Sequence, residues 1–337
     1  MKLQENISLK PYNTFGINVK AEHFAEFTSM TELEELMSVP QSIGKKLIIG
    51  GGSNLLFTKD VKGLALKNNI KGIQIIKSDN DHVYIKAGAG ENWHNLVMHC
   101  VENNYAGIEN LALIPGNVGA SPMQNIGAYG VEIKDVFHEL EAYDVKENTI
   151  RLFTLEECKF AYRESVFKNI YKDRYVIINV TFRLNKIAVF NTSYGAIKDE
   201  LERMGVKDLS IKAIAQSVIN IRTSKLPDPD KIGNAGSFFK NPVISVALFD
   251  SLKTGFPQVP FFPAQEGFIK LPAGWLIEQC GWKGYRKGDA GCYSKQALVL
   301  VNYGNASGKE IYDLSEEIIT SVKNKFNIEL EREVNIF

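Results

Sequence analysis

KKLIIGGGSNLLF, residues 45–57, is the stretch on which the reading of this chain turns. Leu47, Ile48 and Ile49 form a short apolar run that leads straight into Gly50, Gly51 and Gly52, and Leu55-Leu56-Phe57 reads as a further strand. Consecutive glycines let successive backbone N–H groups point into one concavity, which is how a loop cradles a phosphate or diphosphate. The same run also makes an ordinary tight turn. It matches neither GxGxxG opening a helix nor GxxxxGK[ST]. By itself it names no ligand.

A second loop shifts the balance. IPGNVGASPMQNIGAYG, residues 114–130, has four glycines, two prolines and no charged residue. That composition excludes regular helix, and its low polarity argues against disorder. Two glycine-rich loops in one region, one of them long and apolar, suit a cofactor with a diphosphate and a large flat ring. Around them the pattern alternates short strands and helices. Thr31-Glu32-Leu33-Glu34 reads as a capping box opening a helix through Met37. Trp93, Leu96, Val97, Cys100 and Val101 fall at helical spacing, and Val176, Ile178, Val180, Phe182 and Leu184 alternate as one face of a half-buried strand.

From about Asp208 the pattern changes: Ile211, Ile214, Ala215, Val218 and Ile219 make a helix ending before Pro227. Helices are expected near Ser245 and Ala273, a strand in QALVLVN, and a helix opened by the capping box Ser307–Glu310. The chain closes on a strand with Ile328, Leu330, Val334 and Ile336 on one face and Glu329, Glu331 and Glu333 on the other. This predicts an α+β protein of at least two domains with a boundary near residue 210.

Composition bounds the function. The 337 residues carry 39 basic and 39 acidic side chains, a formal net charge of zero, which argues against broad binding to nucleic acid or to an anionic membrane. The start, MKLQENISLKPYNTFGINVK, lacks the apolar core of a signal peptide, and no segment approaches about 20 uninterrupted apolar residues. Cys100, Cys158, Cys280 and Cys292 lack the spacing of a disulfide framework or a zinc site, and no metal is expected. The expectation is a cytoplasmic protein.

Six motifs in order, GGGSNLLF, GAGENWHNLV, ENLALIPGNVGASPMQNIGAYG, CKFAYRESVFK, TSKLPDP and GNAGSFFKNP, resemble the UDP-N-acetylenolpyruvoylglucosamine reductase family. The resemblance runs from KPYNTFGI to the end of the chain, and SYGAIKDEL resembles the longer form, in which a tyrosine-bearing loop folds over the substrate. It implies an FAD-binding domain of the vanillyl-alcohol-oxidase/PCMH type at 1–210, in two lobes divided near residue 70. A smaller α+β substrate-binding domain at 211–325 and a terminal strand at 326–337 returning to the active site complete the expected layout. It further implies noncovalent FAD, NADPH as cosubstrate, UDP-N-acetylglucosamine enolpyruvate as substrate, and a monomer. In the family reaction NADPH reduces FAD, hydride passes to the enolpyruvyl double bond, and a proton completes the lactyl ether of UDP-N-acetylmuramate.

The resemblance also assigns residues. Arg163 matches the arginine that holds the substrate carboxylate and stabilises the enolate, through paired donors. Ser237 matches the proton donor, and Glu333 the glutamate that hydrogen-bonds the carboxylate or enol oxygen, a role a protonated carboxyl fills. Glu331 stands nearby as an alternative. Gly50, Gly51, Gly52, Ser53, Asn54 and Leu55 would hold FAD from the first loop. Pro115, Gly116, Gly119, Ala120, Ser121, Gln124, Asn125, Gly127, Ala128 and Tyr129 would hold it from the second. Tyr162 would orient the arginine or wall the flavin, and Tyr194 matches the lid tyrosine. Lys225, Asn241, Lys283 and Gln296 match contacts to the diphosphate or uridine. One departure stands out: Phe261 and Phe262 occur where the family often carries a tyrosine near the diphosphate.

Two other readings are distinguishable. A carbohydrate oxidase of the same flavin fold often tethers its flavin through a histidine beside the glycine loop, where this chain has Ser53 and Asn54. A nucleotide-sugar-binding regulator would have no need for Arg163, Ser237 and Glu333 together.

Overall fold

The computed structural model describes residues 2–337, which divide into two compact units that do not follow the expected boundary. The first holds the residues up to Ile7, Ala21–Gly52 and Lys62–Ser224; the second holds Ser8–Lys20, Ser53–Val61 and Lys225–Phe337. The chain leaves the first unit for good at Ser224, not near 210, because Ile211, Ala215, Val218 and Ile221 of the helix Ile211–Lys225 are buried in the first unit's core.

The first unit contains two sheets. One has the strand order Gln4–Ser8, Lys20–Phe27, Val61–Asn68, Lys46–Ile49, the last two parallel. The other has the order Thr149–Thr154, Phe137–Asp144, Tyr175–Asn185, His82–Gly88, Ile73–Ser78, antiparallel throughout. Tyr175–Asn185 is its central strand, and here the expected one-faced alternation fails. The register against Phe137–Asp144 shifts between Glu141 and Ala142, leaving Ile178 as the extra residue of a β-bulge. The bulge reverses the faces: Val176 and Ile178 pack with Phe27, Leu33 and Leu66, whereas Val180, Phe182 and Leu184 pack with Trp93 and Leu96. Both faces are therefore buried.

Local signals place the helices with small corrections. Met30–Ser38 is capped by Ser29, whose hydroxyl accepts from the Glu32 N–H while Glu32 accepts from the Thr28 N–H, so the cap lies two residues before the expected Thr31. Trp93–Glu102 buries all five residues of its expected stripe. The loop 114–130 contains a 3₁₀ helix, Val118–Gln124, with Pro122 inside it.

The second unit has a sheet in the order Gly233–Ser237, Val299–Asn302, Ala290–Cys292, Arg286–Lys287. Its helices Val246–Gly255, Ala273–Gln279 and Gly308–Phe326 begin where expected, the last with the full Ser307/Glu310 capping box. The closing strand is shorter than expected. Only Asn335–Ile336 pairs as a strand, parallel to Leu55–Leu56, and Glu333 is buried beside Val334 where strict alternation would expose it.

Among the described residues no helix is long and apolar enough to cross a membrane, and no group of His, Cys, Asp or Glu is placed to hold a metal ion. All four cysteines are free; burial pushes the Cys100, Cys158 and Cys292 thiols up to about 12.

Candidate active site

Within the first unit the two glycine-rich loops meet. A Cβ on Gly51 would lie 2.7 Å from Gly116 Cα and 2.9 Å from Asn117 Oδ1, so only glycine permits this approach. The Gly50 carbonyl accepts from the Lys67 ammonium, whose pKa is lowered by burial, and Gly52 adopts the left-handed conformation at φ 67°. The second loop is held by backbone bonds: Trp93 N to Gly116 O at 3.0 Å, Val118 N to Glu91 O at 2.8 Å and Gly119 N to Ala89 O at 2.9 Å.

The proposed cofactor residues of that loop divide by what their side chains already do. Pro115 and Ala120 are exposed, Gln124 is half-buried, and Gly127–Ala128 pairs with Val131–Glu132 as a small hairpin. Ser121 is buried and donates to the Val118 carbonyl at 2.7 Å. Asn125, fully buried, donates to Glu132 at 2.9 Å and to the Ala161 carbonyl at 3.1 Å, and accepts from the Lys134 N–H at 3.1 Å. Those bonds commit Asn125 to shaping the loop. Ser53, Asn54 and Leu55 are counted with the second unit, where Asn54 donates to the Glu333 carbonyl at 3.3 Å and Leu55 pairs with Asn335.

Arg163 occupies a tight turn closed by reciprocal Ala161–Glu164 backbone bonds of 3.1 and 3.2 Å. Its φ of 55° is left-handed, a costly conformation for a residue with a side chain and one that recurs at functional sites. The guanidinium lies over the Tyr162 ring, 5.4 Å from its centroid, and donates to the Gly127 carbonyl at 2.9 Å. Tyr194 precedes the helix Gly195–Arg203, so SYGAIKDEL is largely helical, with Ile197 and Leu201 buried in the first unit's core. The Tyr194 ring meets Tyr129 edge-on at 5.3 Å.

In the second unit Ser237 and Glu333 sit on neighbouring segments. Ser237 ends the strand Gly233–Ser237, opposite Val299 and just after a register shift. The Glu333 N–H donates to the Phe238 carbonyl at 2.9 Å, Phe239 bridges Arg332, and the Lys240 N–H donates to the Glu331 carbonyl at 2.9 Å. Glu333 is 8% exposed, whereas Glu331 projects outward to an ion pair with Lys240. Of the residues matched to nucleotide contacts, Lys225 is exposed and Lys283 pairs with Glu278 at 2.9 Å. Asn241 Oδ1 accepts from the Ala273 N–H at 2.9 Å, and Gln296 Oε1 from the Leu298 N–H at 3.3 Å. Phe261 packs at a tilt against Phe249, ring centroids 5.0 Å apart, while Phe262 lies under the Lys270 ammonium at 5.9 Å.

Sequence reasoning missed Arg222. Its Nε donates to the Leu113 carbonyl at 3.2 Å, its guanidinium also hydrogen-bonds the Tyr129 phenol, and burial lowers its pKa. The signal was available: Arg222 continues the buried stripe Ile211, Ala215, Val218 at helical spacing, and a cation on a buried face calls for an account.

Two family models match the chain: an FAD binding domain over residues 21–152, and the C-terminal domain of UDP-N-acetylenolpyruvoylglucosamine reductase over residues 228–337. The chain is 51% identical over 337 residues to the UDP-N-acetylenolpyruvoylglucosamine reductase of Amoebophilus asiaticus, covering 100% of this chain and 99% of that one. It is 48% identical to the Flavobacterium johnsoniae protein of the same name, with 100% of each covered. The crystal structure of the UDP-N-acetylenolpyruvylglucosamine reductase from Thermus caldophilus superposes with a TM-score of 0.69 at 22% identity, over 100% of this chain and 99% of that one, and so shares the fold. On these findings the α+β flavin-domain expectation holds, and the chain belongs to the UDP-N-acetylenolpyruvoylglucosamine reductase family.

Proposed function

We propose that this chain reduces the enolpyruvyl double bond of UDP-N-acetylglucosamine enolpyruvate to the lactyl ether of UDP-N-acetylmuramate, using FAD and NADPH, as a cytoplasmic monomer. The observation that carries the reading is full-length identity near one half to relatives of that name, joined to an FAD-binding model over the unit that holds both glycine loops. The residues present fit a flavin dinucleotide. Two glycine-rich backbones approach closely, with Gly51 against Gly116, and the half-buried Arg222 bonds the Leu113 carbonyl and the Tyr129 phenol of a loop with no charge of its own. Gly50, Gly51 and Gly52 with the 114–130 loop would hold the group, and Ser53 offers no imidazole for a covalent tether. When bound, FAD supplies the hydride that NADPH replenishes.

The chain's own residues then have three tasks. An enol ether is electron-rich, so its carboxylate must withdraw charge as hydride adds to the terminal carbon. Arg163 would hold that carboxylate through parallel N–H donors and stabilise the negative charge developing beside it. The Ser237 hydroxyl would deliver a proton to the carbon next to the carboxylate, completing the two-electron reduction, and regain one from solvent. Glu333 would hydrogen-bond the carboxylate or enol oxygen. Tyr194, Lys225, Asn241, Lys283 and Gln296 would engage the nucleotide-sugar.

Anaerobic NADPH should bleach the visible flavin band, and colour should return on adding the enolpyruvyl UDP-sugar. Return of colour only with oxygen would point instead to an oxidase. A paired substitution separates the two glutamates. Glu333→Gln should slow substrate-dependent recolouring by about 10²-fold or more. Glu331→Gln, which removes the partnership of an exposed carboxylate with the buried Lys240 ammonium, should leave that rate within about twofold. Equal losses in both would remove Glu333 from its role.

A further inference from the structure

Leu113 has φ 58°, a left-handed conformation that nothing in a leucine favours, and it directly precedes the charge-free loop. Neighbours must therefore hold it. Its N–H donates to His94 Nδ1 at 3.0 Å, and its carbonyl accepts from Arg222 Nε at 3.2 Å. His94 lies in the first turn of the helix Trp93–Glu102, whose opening residues grip the same segment twice more. Trp93 Nε1 donates to the Leu111 carbonyl at 2.9 Å, and the Trp93 N–H donates to the Gly116 carbonyl at 3.0 Å.

Because Nδ1 accepts, the imidazole must be neutral with its proton on Nε2. We propose that His94 is a positioning residue which, with Arg222, clamps the backbone of Leu113, and that its protonation opens the clamp and loosens the loop on which FAD retention depends. This rests on the FAD reading above for the cofactor, though not for the clamp.

The groups around the imidazole set the direction. Arg222, from the helix Ile211–Lys225, faces His94 with a positive charge. Tyr129, from the loop, hydrogen-bonds Arg222, and Arg163, from the Ala161–Glu164 turn, adds a second positive field on it. The N-terminal end of a helix is itself positive. Burial first, and then the Arg222 charge, lower the His94 pKa in the clamped state. The clamp is thus fully closed above the ordinary imidazole value of about 6.5 and is lost as pH falls through the lowered one. A charged imidazole can no longer accept from Leu113, so its N–H loses its partner.

The test is amide hydrogen exchange of peptides spanning residues 106–130 in the holoenzyme, corrected for the intrinsic pH dependence of exchange, with released FAD followed by its fluorescence. In the parent, loop protection should fall by roughly tenfold per pH unit as pH drops from the ordinary imidazole value of about 6.5 to the lowered one, and level off below it, with FAD release rising in step. His94→Asn places Oδ1 near the position of Nδ1 and accepts the same N–H without titrating. It should keep neutral-pH protection and flatten the acid response. His94→Leu should expose the loop at every pH. A parent profile without the acid limb overturns the proposal whether or not the variants fold, and so does an Asn variant with the parent's acid limb. If exchange follows the clamp but no flavin is present at neutral pH, the FAD reading fails and the clamp stands.

Discussion

Ser237→Ala is expected to let NADPH bleach the flavin at a near-normal rate while recolouring by the enolpyruvyl UDP-sugar slows by about 10²–10⁴-fold, equivalent to about 3–5 kcal/mol of barrier. The first half-reaction draws no proton from this side chain. The second needs one at carbon, and alanine has none to give. The variant should fold normally, because Ser237 is placed by its backbone: its strand partner is Val299, and the following Phe238 N–H donates to the Leu298 carbonyl at 2.8 Å. Substrate affinity should survive, one hydroxyl being a small part of a nucleotide-sugar's contacts. Stopped-flow traces of the separate half-reactions decide the matter. Recolouring at the parent rate would require another acid.

The largest expected effect on stability comes from Gly308→Ala. Alanine inside a helix is normally favoured over glycine by about 1 kcal/mol. At this position, the first residue of Gly308–Phe326, a Cβ would stand 1.7 Å from the Phe57 carbonyl oxygen, 2.6 Å from its carbon and 3.1 Å from Thr58 Cα. All three are backbone atoms, so no rotamer relieves the clash. The Phe57–Thr58 segment is itself pinned, since the Thr58 N–H and hydroxyl both donate to the Phe337 carbonyl at 2.7 Å. A loss of about 3 kcal/mol or more is expected, at the level of severe overpacking. Gly255→Ala, with open space at the end of its helix, is the control and should be neutral or mildly stabilising. Thermal unfolding of both variants, followed by a probe in the second unit, tests the contrast. An unaltered transition in Gly308→Ala would mean that the two backbones part easily.

What the sequence disclosed was local. The Ser307/Glu310 box, the stripe Trp93 to Val101 and the two glycine loops are patterns within a few residues, and each appears in place. The bulge at Ile178 was not legible, because it is a property of register against a strand that lies far away in sequence. Strict alternation failed for the same reason at Glu333, which is turned inward by its pairing with Phe238. The residues proposed to carry the chemistry come from motif resemblance; spacing alone would have left Arg163 a surface arginine. His94 escaped because its partner is a backbone amide, and no residue type announces that a main chain will need holding, whereas Arg222 was legible as a cation in line with the stripe Ile211, Ala215 and Val218.

The assignment of Ser8–Lys20 and Ser53–Val61 to the second unit has a consequence for how the protein is made. Thr58 finds its carbonyl partner 279 residues later, at the last residue of the chain. At a synthesis rate of about 5–20 residues per second, the segment around Leu55 and Leu56 waits roughly 15–55 s on the ribosome before Asn335 and Ile336 exist to pair with it. Throughout that interval Leu55, Leu56 and Phe57, all buried in the finished protein, lack their final neighbours. A chain under synthesis therefore carries this apolar, strand-forming stretch unpaired throughout that interval, a segment open to wrong pairing until Asn335 and Ile336 emerge.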